Sequence, residues 1–199
     1  DATYGAENVW SNGYVAVWHM GDDLDSTNNN NDLTDVTTTA TTDVSQIGTA
    51  RTFSADGLSS NLDLSGTNAV TVTSWMRPTN VSAIKVLYEH TSNFNFSSGG
   101  FGNFIENSAD VCAPLGLCAT LSINGNTGYN ISSSATLPVN TYSYFADIYD
   151  KSVVVGPETV RYQDGVLVNT TWQSLYQNDN TNNFSNDTFY IGGRNADSF

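Results

Sequence analysis

Apolar and polar residues alternate along this chain in short runs, and clusters of Gly, Asn, Asp and Ser separate the runs. A period of two is the pattern of half-buried β-strands. Gly13–Met20 places Tyr14, Ala16, Trp18 and Met20 on one face and Val15, Val17 and His19 on the other. Both faces are largely apolar, which predicts a strand covered on both sides. Asn68–Arg77 alternates Val70, Val72 and Met76 with Ala69, Thr71, Thr73 and Trp75, and Pro78 ends the run. Ile84–His90 sets Ile84, Val86 and Tyr88 against Lys85, Leu87 and Glu89. Phe101–Glu106, Ala119–Ile123, Tyr142–Tyr149, Thr159–Gln163, Val166–Asn169 and Thr188–Gly192 continue the series. Asp164-Gly165 predicts a tight hairpin between two of these, because Gly accepts positive φ. No helical period of 3.6 stands out. The expected fold is all-β, a two-sheet antiparallel β-sandwich. No linker or composition break divides the chain, so residues 1–199 are expected to form one domain. The polar stretches Gly21–Asp32 and Thr37–Asp43 read as loops leaving the first strand.

Charge narrows the partners. Six Lys+Arg stand against 20 Asp+Glu, a net charge of −14. Nucleic acid and anionic membranes need a basic face, which this chain cannot easily supply. No apolar run approaches the roughly 20 residues that cross a bilayer as a helix, so direct membrane insertion is not expected. The first residue is Asp1 rather than Met, and the chain reads as a processed or excised piece of something longer. Asn occurs 24 times and Lys only as Lys85 and Lys151, a composition that points outside the cell. Cys112 and Cys118 suit a small-loop disulfide, two free thiols or two metal ligands. A zinc site wants four Cys/His ligands, and His19 and His90 are the only histidines. Pro114 and Gly116 let the segment turn back, so the disulfide is the reading adopted, and with it an oxidising compartment. Asn-X-Ser/Thr triplets begin at Asn80, Asn95, Asn130, Asn169, Asn183 and Asn186, and accept glycans if the host glycosylates asparagine.

An ordered set of motifs resembles a family. YVAVWHMGDDLDSTNNNNDLT resembles the opening of laminin-G-like, concanavalin-A-type jelly rolls of bacterial and archaeal surface proteins, where a Trp-His strand runs into an Asx-rich loop. ARTFSADGLSSNLDL is similar to their Phe-x-x-Asp-Gly turn and short apolar strand, and VTVTSWMRPTN to their central Trp strand. VLYEHTSNFNFSSGGFGNFI, VRYQDGVLVNTT and FYIGGRN resemble the later strands. The resemblance spans roughly residues 9–195 and implies a jelly-roll module within a larger secreted or cell-surface protein. Relatives of this fold often hold a structural calcium. The family also closes with a strand beyond its Ile-Gly-Gly segment, whereas this sequence stops at Phe199. That strand is expected beside Gly13–Met20, supplied by residues beyond 199, by a rerouted Ala6–Trp10 or by a neighbouring subunit through self-assembly.

Candidate chemistry is sparse. Related glycosidases carry acid and nucleophile close together on one strand. Here Glu7, Glu89, Glu106 and Glu158 are the only glutamates, and none has that spacing to another carboxylate. Glu89 and His90 are adjacent and so point to opposite faces of a strand. The lyase-type Tyr-x-Lys strand is missing, and the chain is read as non-catalytic. His19 is expected to be a hydrogen-bonded core histidine, and Trp18 and Trp75 core anchors. Aromatic rings in loops stack on the C–H faces of sugars while amides and carboxylates bond the hydroxyls. Trp172, Tyr176, Phe94, Phe96 and Phe101, with Asn93 and Asn95, are therefore the candidate carbohydrate-binding set. Asp22, Asp23, Asp25, Asn28, Asn30 and Asp32 offer closely spaced oxygens for Ca2+, with a solvated Asx-rich turn as the alternative. The expected function is an extracellular carbohydrate-binding or adhesion module that meets glycans or other surface proteins. The alternative is a structural subunit or spacer of a surface assembly, and the third reading a glycan-active hydrolase or lyase.

Overall fold

A computed structural model describes residues 9–36, 41–54, 56–80, 85–91, 100–106, 116–123, 128–133, 138–153, 158–168, 173–174 and 183–193. The strands in these residues are β1 (Thr34–Asp35), β2 (Thr41–Val44), β3 (Thr49–Thr52), β4 (Leu58–Asp63), β5 (Ala69–Met76), β6 (Lys85–His90) and β7 (Phe101–Glu106), followed by β8 (Gly116–Ile123), β9 (Gly128–Ser133), β10 (Ser143–Asp150), β11 (Thr159–Gln163), β12 (Val166–Leu167), β13 (Gln173–Ser174) and β14 (Asn186–Ile191). Eight of them form one sheet in the order β1-β4-β14-β6-β7-β8-β9-β13, and four form a second in the order β12-β11-β10-β5. The pairings within both sheets are antiparallel. β2 and β3 make a separate hairpin. The expected all-β, two-sheet antiparallel sandwich is the fold observed.

The two sheets meet through the alternate residues of their strands. On β10 the inward set is Ser143, Phe145, Asp147 and Tyr149, all buried, while the residues between them are half-buried on the outer side. Tyr149 stacks on Phe101 of β7 with ring centroids 4.7 Å apart, and Tyr88 of β6 stacks on Phe189 of β14 at 5.6 Å. Leu62, Leu64 and Phe184 complete this core, and Val15, Ala16 and Trp18 pack on it from outside the sheets. A smaller cluster joins Ile105 to Phe145.

Most expected strands fall where the alternation places them, with two corrections. Gly13–Met20 is not a sheet strand; its one ladder contact is an isolated bridge between Trp18 and Asp25. The side chains of the following loop take up its backbone instead. Val17 N–H donates to Asp25 Oδ1 at 2.9 Å, and the Asn29 and Asn31 amides donate to Val15 O at 2.9 and 2.8 Å. His19 in this segment is exposed, its ring 5.9 Å from that of Trp10, so it is not a core histidine. The core histidine is His90, whose Nε2 lies 3.0 Å from Leu62 O and whose ring stacks on Phe101. The second correction is at Thr37–Asp43, read as a loop, where β2 begins at Thr41 and pairs with β3.

Sheet edges differ in length. β1, β12 and β13 are edge strands of two residues each. β5, the remaining edge, runs eight residues, AVTVTSWM, with no charge, Pro or Gly. Its inward side chains Val70, Val72, Ser74 and Met76 are only half-buried, whereas those of the adjoining β10 are fully buried.

Candidate functional site

The outer face of the four-stranded sheet carries a row of aromatic rings. Antiparallel sheets of sandwiches usually turn polar residues outward, so an aromatic outer face calls for an explanation. On β5 the outward set is Ala69, Thr71, Thr73 and Trp75, and Trp75 is 43% exposed. Trp75 pairs across the ladder with Tyr144 of β10, and their rings lie 5.4 Å apart. One step further along the same face, the Arg77 guanidinium lies over the Tyr142 ring at 5.3 Å. On the other side, Tyr162 of β11 pairs with Ala146 and is 36% exposed, and Leu167 of β12 pairs with Tyr162 and is 50% exposed. Strand spacing of about 4.8 Å and about 7 Å per two residues put Tyr142 and Tyr162 about 14 Å apart at the backbone. Tyr144 and the short Ala146 stand between them on β10, and Thr73 of β5 pairs with Ala146 on its other side.

The hairpin after β11 fixes one end of this platform. Asp164 and Gly165 both adopt positive φ, 51° and 80°, which a two-residue turn requires. Asp164 Oδ1 accepts the Tyr144 N–H at 2.8 Å and so ties the turn to the strand that carries the central tyrosine. Thr71, Thr73 and Asp164 are exposed polar groups around the rings, able to bond a hydroxylated ligand.

Beneath the platform, the inward face of the same strands holds a buried ion pair. Arg161 of β11 donates from Nε to Asp147 Oδ1 at 2.5 Å and from Nη2 to Oδ2 at 3.0 Å. Tyr88 Oη and Asn103 Nδ2, both from the opposite sheet, donate to Asp147 Oδ2 at 2.6 Å. Tyr149 Oη donates to Gly102 O at 2.9 Å. Burial pushes the Tyr88 and Tyr149 hydroxyls well above the usual tyrosine range, with the Asp147 charge adding to it. Both sheets thus contribute to one charge-assisted network. The network is sealed from solvent and serves to register the sheets; it presents no reactive group to a ligand.

The candidate residues read from sequence fare differently. Trp172, Tyr176, Phe94, Phe96, Asn93 and Asn95 lie outside the described residues. Phe101 is a core ring, 2% exposed, and offers no face to a sugar. Trp75, expected in the core, is on the surface, while Trp18 stacks on Phe189 at 5.6 Å as a partly buried anchor. The phase of β5 held the signal for Trp75, which falls with Ala69, Thr71 and Thr73 rather than with Val70, Val72 and Met76. Tyr144 and Tyr162 carried no such signal. On β10 the uniformly apolar set is Tyr144, Ala146 and Ile148, yet the set buried is the one that carries Ser143 and Asp147, and Tyr162 alternates with an arginine that turns out to be buried.

The acidic loop is held by its own hydrogen bonds. Asp25 Oδ1 accepts N–H bonds from Val17 and Thr27, and Oδ2 accepts from Thr27 Oγ1 at 2.7 Å and Asn31 N at 2.9 Å. Asp32 Oδ1 accepts Asp25 N at 2.8 Å, and Asp22 Oδ1 accepts Leu24 N at 3.2 Å. Asp23 pairs with Arg51 at 2.7 Å, and Asn30 Nδ2 donates back to Asn28 O. Burial pushes the Asp25 carboxyl up, but the bonds from Val17, Thr27 and Asn31 outweigh it and hold the group below its ordinary value. With four donors on Asp25 and a guanidinium on Asp23, the six residues do not fit a calcium centred on Asp25. Among the described residues no three His, Cys, Asp or Glu side chains gather to hold a metal. The Asx-rich turn is the arrangement observed.

Cys112 lies outside the described residues, and Cys118 sits on β8. Of the triplet asparagines, Asn95 and Asn169 also lie outside, and Asn130 is on β9. Asn80, Asn183 and Asn186 are exposed. The Asn183 amide donates to Ser65 O at 2.7 Å, and Asn186 Oδ1 accepts from Asn61 at 3.0 Å.

No protein-family model matches the chain, and no curated protein does. Among solved structures it is similar to a native heptameric SAP-like pentraxin from Limulus polyphemus, at 14% identity and a TM-score of 0.45. The match covers 71% of this chain and 59% of the pentraxin chain. A likeness at this level assigns neither a family nor a function.

Proposed function

We propose that this chain is a non-catalytic carbohydrate-binding module of a larger secreted or cell-surface protein, and that the outer face of the four-stranded sheet is its binding surface. The observation that carries the reading is the Trp75–Tyr144 pair with Tyr162, aromatic rings held outward on adjoining strands of a rigid sheet. Exposed rings of this kind stack on the C–H faces of pyranoses, and Thr71, Thr73 and Asp164 beside them are suited to the hydroxyls. The laminin-G-like order of motifs and the acidic, Asn-rich composition agree with a surface module in an extracellular setting.

Affinity electrophoresis on a panel of polysaccharides tests the reading. The protein is expected to be retarded by at least one, and Trp75→Ala is expected to weaken binding about tenfold or more, as truncation of a central aromatic anchor does. Retention that Trp75→Ala and Tyr144→Ala leave untouched would place binding elsewhere. The proposed Cys112–Cys118 bridge goes with the same setting. Alkylation of the unreduced, unfolded protein should add no mass, and a gain of two labels would exclude the bridge.

A second reading, a structural subunit joined to its neighbours through strands, is favoured by β5. An uncharged eight-residue edge lacks the short length, lysines, prolines and bulges that keep edge strands from pairing. Its half-buried inward residues are those that an added strand would cover.

A further inference from the structure

We propose that the aromatic platform takes an internal stretch of a neutral, extended polysaccharide chain whose rings carry equatorial hydroxyls; this rests on the glycan reading above. Recognition of a chain end needs a concave site that closes round the last ring. Here the rings sit on the outer face of paired strands, with the Trp75 and Tyr144 planes 53° apart, and the outward residues next to them, Thr73 and Ala146, are too short to build a wall. The row from Tyr142 to Tyr162 runs about 14 Å, given two steps along the sheet and one strand across. That length exceeds a single sugar ring, so successive rings of a chain can lie along it. Flat C–H faces come with equatorial hydroxyls, which leave ring faces free to stack.

The chain has a net charge of −14, and the exposed Asp164 stands at the hairpin beside Tyr144. Asp150 lies on the same outward face at the far end of β10. Arg77 is a cation on this face, and its guanidinium lies over the Tyr142 ring. An acidic polysaccharide approaches against the field of the whole molecule, whereas a neutral one meets no such barrier. Stacking and hydroxyl bonding are also indifferent to salt, which separates this mode from ion pairing.

The test uses the 199-residue chain, with hydroxyethylcellulose and mixed-linkage β-glucan as neutral probes and polygalacturonate and heparin as acidic ones. Retardation by at least one neutral probe is expected, unchanged when salt is raised from about 50 to about 500 mM. Oligosaccharides of the bound polymer should gain about tenfold or more in affinity from the disaccharide to the hexasaccharide. Trp75→Ala, Tyr144→Ala and Tyr162→Ala should each reduce that affinity with the melting temperature retained. Retention on the acidic probes alone, lost with salt, would overturn the neutral-chain assignment while leaving the glycan reading standing. Equal affinity for the disaccharide and the hexasaccharide would overturn the internal-chain assignment in the same way. No retention on any probe would bring down the glycan reading itself and leave the platform to a protein partner.

Discussion

Asp147 and Arg161 face each other inside the sandwich, both removed from water. The charges are tolerated because Asp147 accepts two bonds from Arg161 and one each from Tyr88 and Asn103. Removing one partner strands the other, so Asp147→Ala is expected to cost about 3–5 kcal/mol in urea unfolding. An Asp147→Leu, Arg161→Leu double variant should cost less than either single change. A single-variant cost below about 1 kcal/mol would show that the pair is not sealed as described. Lys151 is another buried charge, its Nζ donating to Asn183 O at 3.0 Å and lying over the Phe184 ring. Burial pushes its pKa from 10.5 down to about 8, with the Glu158 charge opposing. The folded value lies below the unfolded one, so between them the unfolded chain binds more protons and stability rises with pH. A gain of about 2 kcal/mol is expected from pH 8 to pH 10. Tyr88 and Tyr149 act in the opposite sense, since their folded values are raised well above 10.0 and their contribution is lost as pH climbs past that value. Lys151→Met should flatten the rise, and equal slopes in the two proteins would contradict the assignment. These buried charges also mark where sequence reading fails at this scale. Alternation places Arg161 and Asp147 outward by polarity, and only their mutual pairing makes the inward position possible.

At the scale of elements, the strands most legible in the sequence are those whose alternation is reinforced by a partner on each side. β7 and β11 lie where their runs of residues place them, and the β11–β12 hairpin follows from Asp164-Gly165. Gly13–Met20 has an equally clear alternation, yet local Asx side chains claim its backbone and no ladder forms. Alternation reports burial, and it does not report which groups satisfy the backbone. The glycine of the hairpin gives a direct check. A Cβ at Gly165 meets nothing within 4 Å, so Gly165→Ala should cost only the strain of its positive φ, about 1 kcal/mol. A neutral result would mean the turn is not held in this conformation. Asp25 is the hub of the preceding loop, and Asp25→Ala removes four acceptor bonds at once. A loss of about 1–3 kcal/mol is expected, because four part-buried donors lose their partner. EDTA should leave the melting curve of the natural protein unchanged, and a fall in melting temperature would restore a calcium role for the loop. Since the folded Asp25 carboxyl lies below its ordinary 3.8, its contribution is present above that pH and fades as pH falls further.

For the whole molecule, the sequence discloses the layering of two antiparallel sheets far better than the face that meets a ligand. Burial and exposure on the four-stranded sheet depend on which set the second sheet covers, and on β10 that is the set with Ser143 and Asp147 rather than the uniformly apolar Tyr144, Ala146 and Ile148. The two functional readings separate in solution. The glycan reading predicts a monomer near 21.4 kDa by light scattering at micromolar concentration. A stable dimer that Thr71→Lys dissolves would establish pairing through the β5 edge instead, because an edge lysine disfavours strand addition. The most direct test of the central claim is a map of amide chemical-shift changes during titration with the neutral polysaccharide that retards the protein most. Changes confined to β5, β10, β11 and the Asp164-Gly165 turn, and centred on Trp75, Tyr144 and Tyr162, are expected. A footprint on the eight-stranded sheet or its loops, with these three residues unmoved, would contradict that claim.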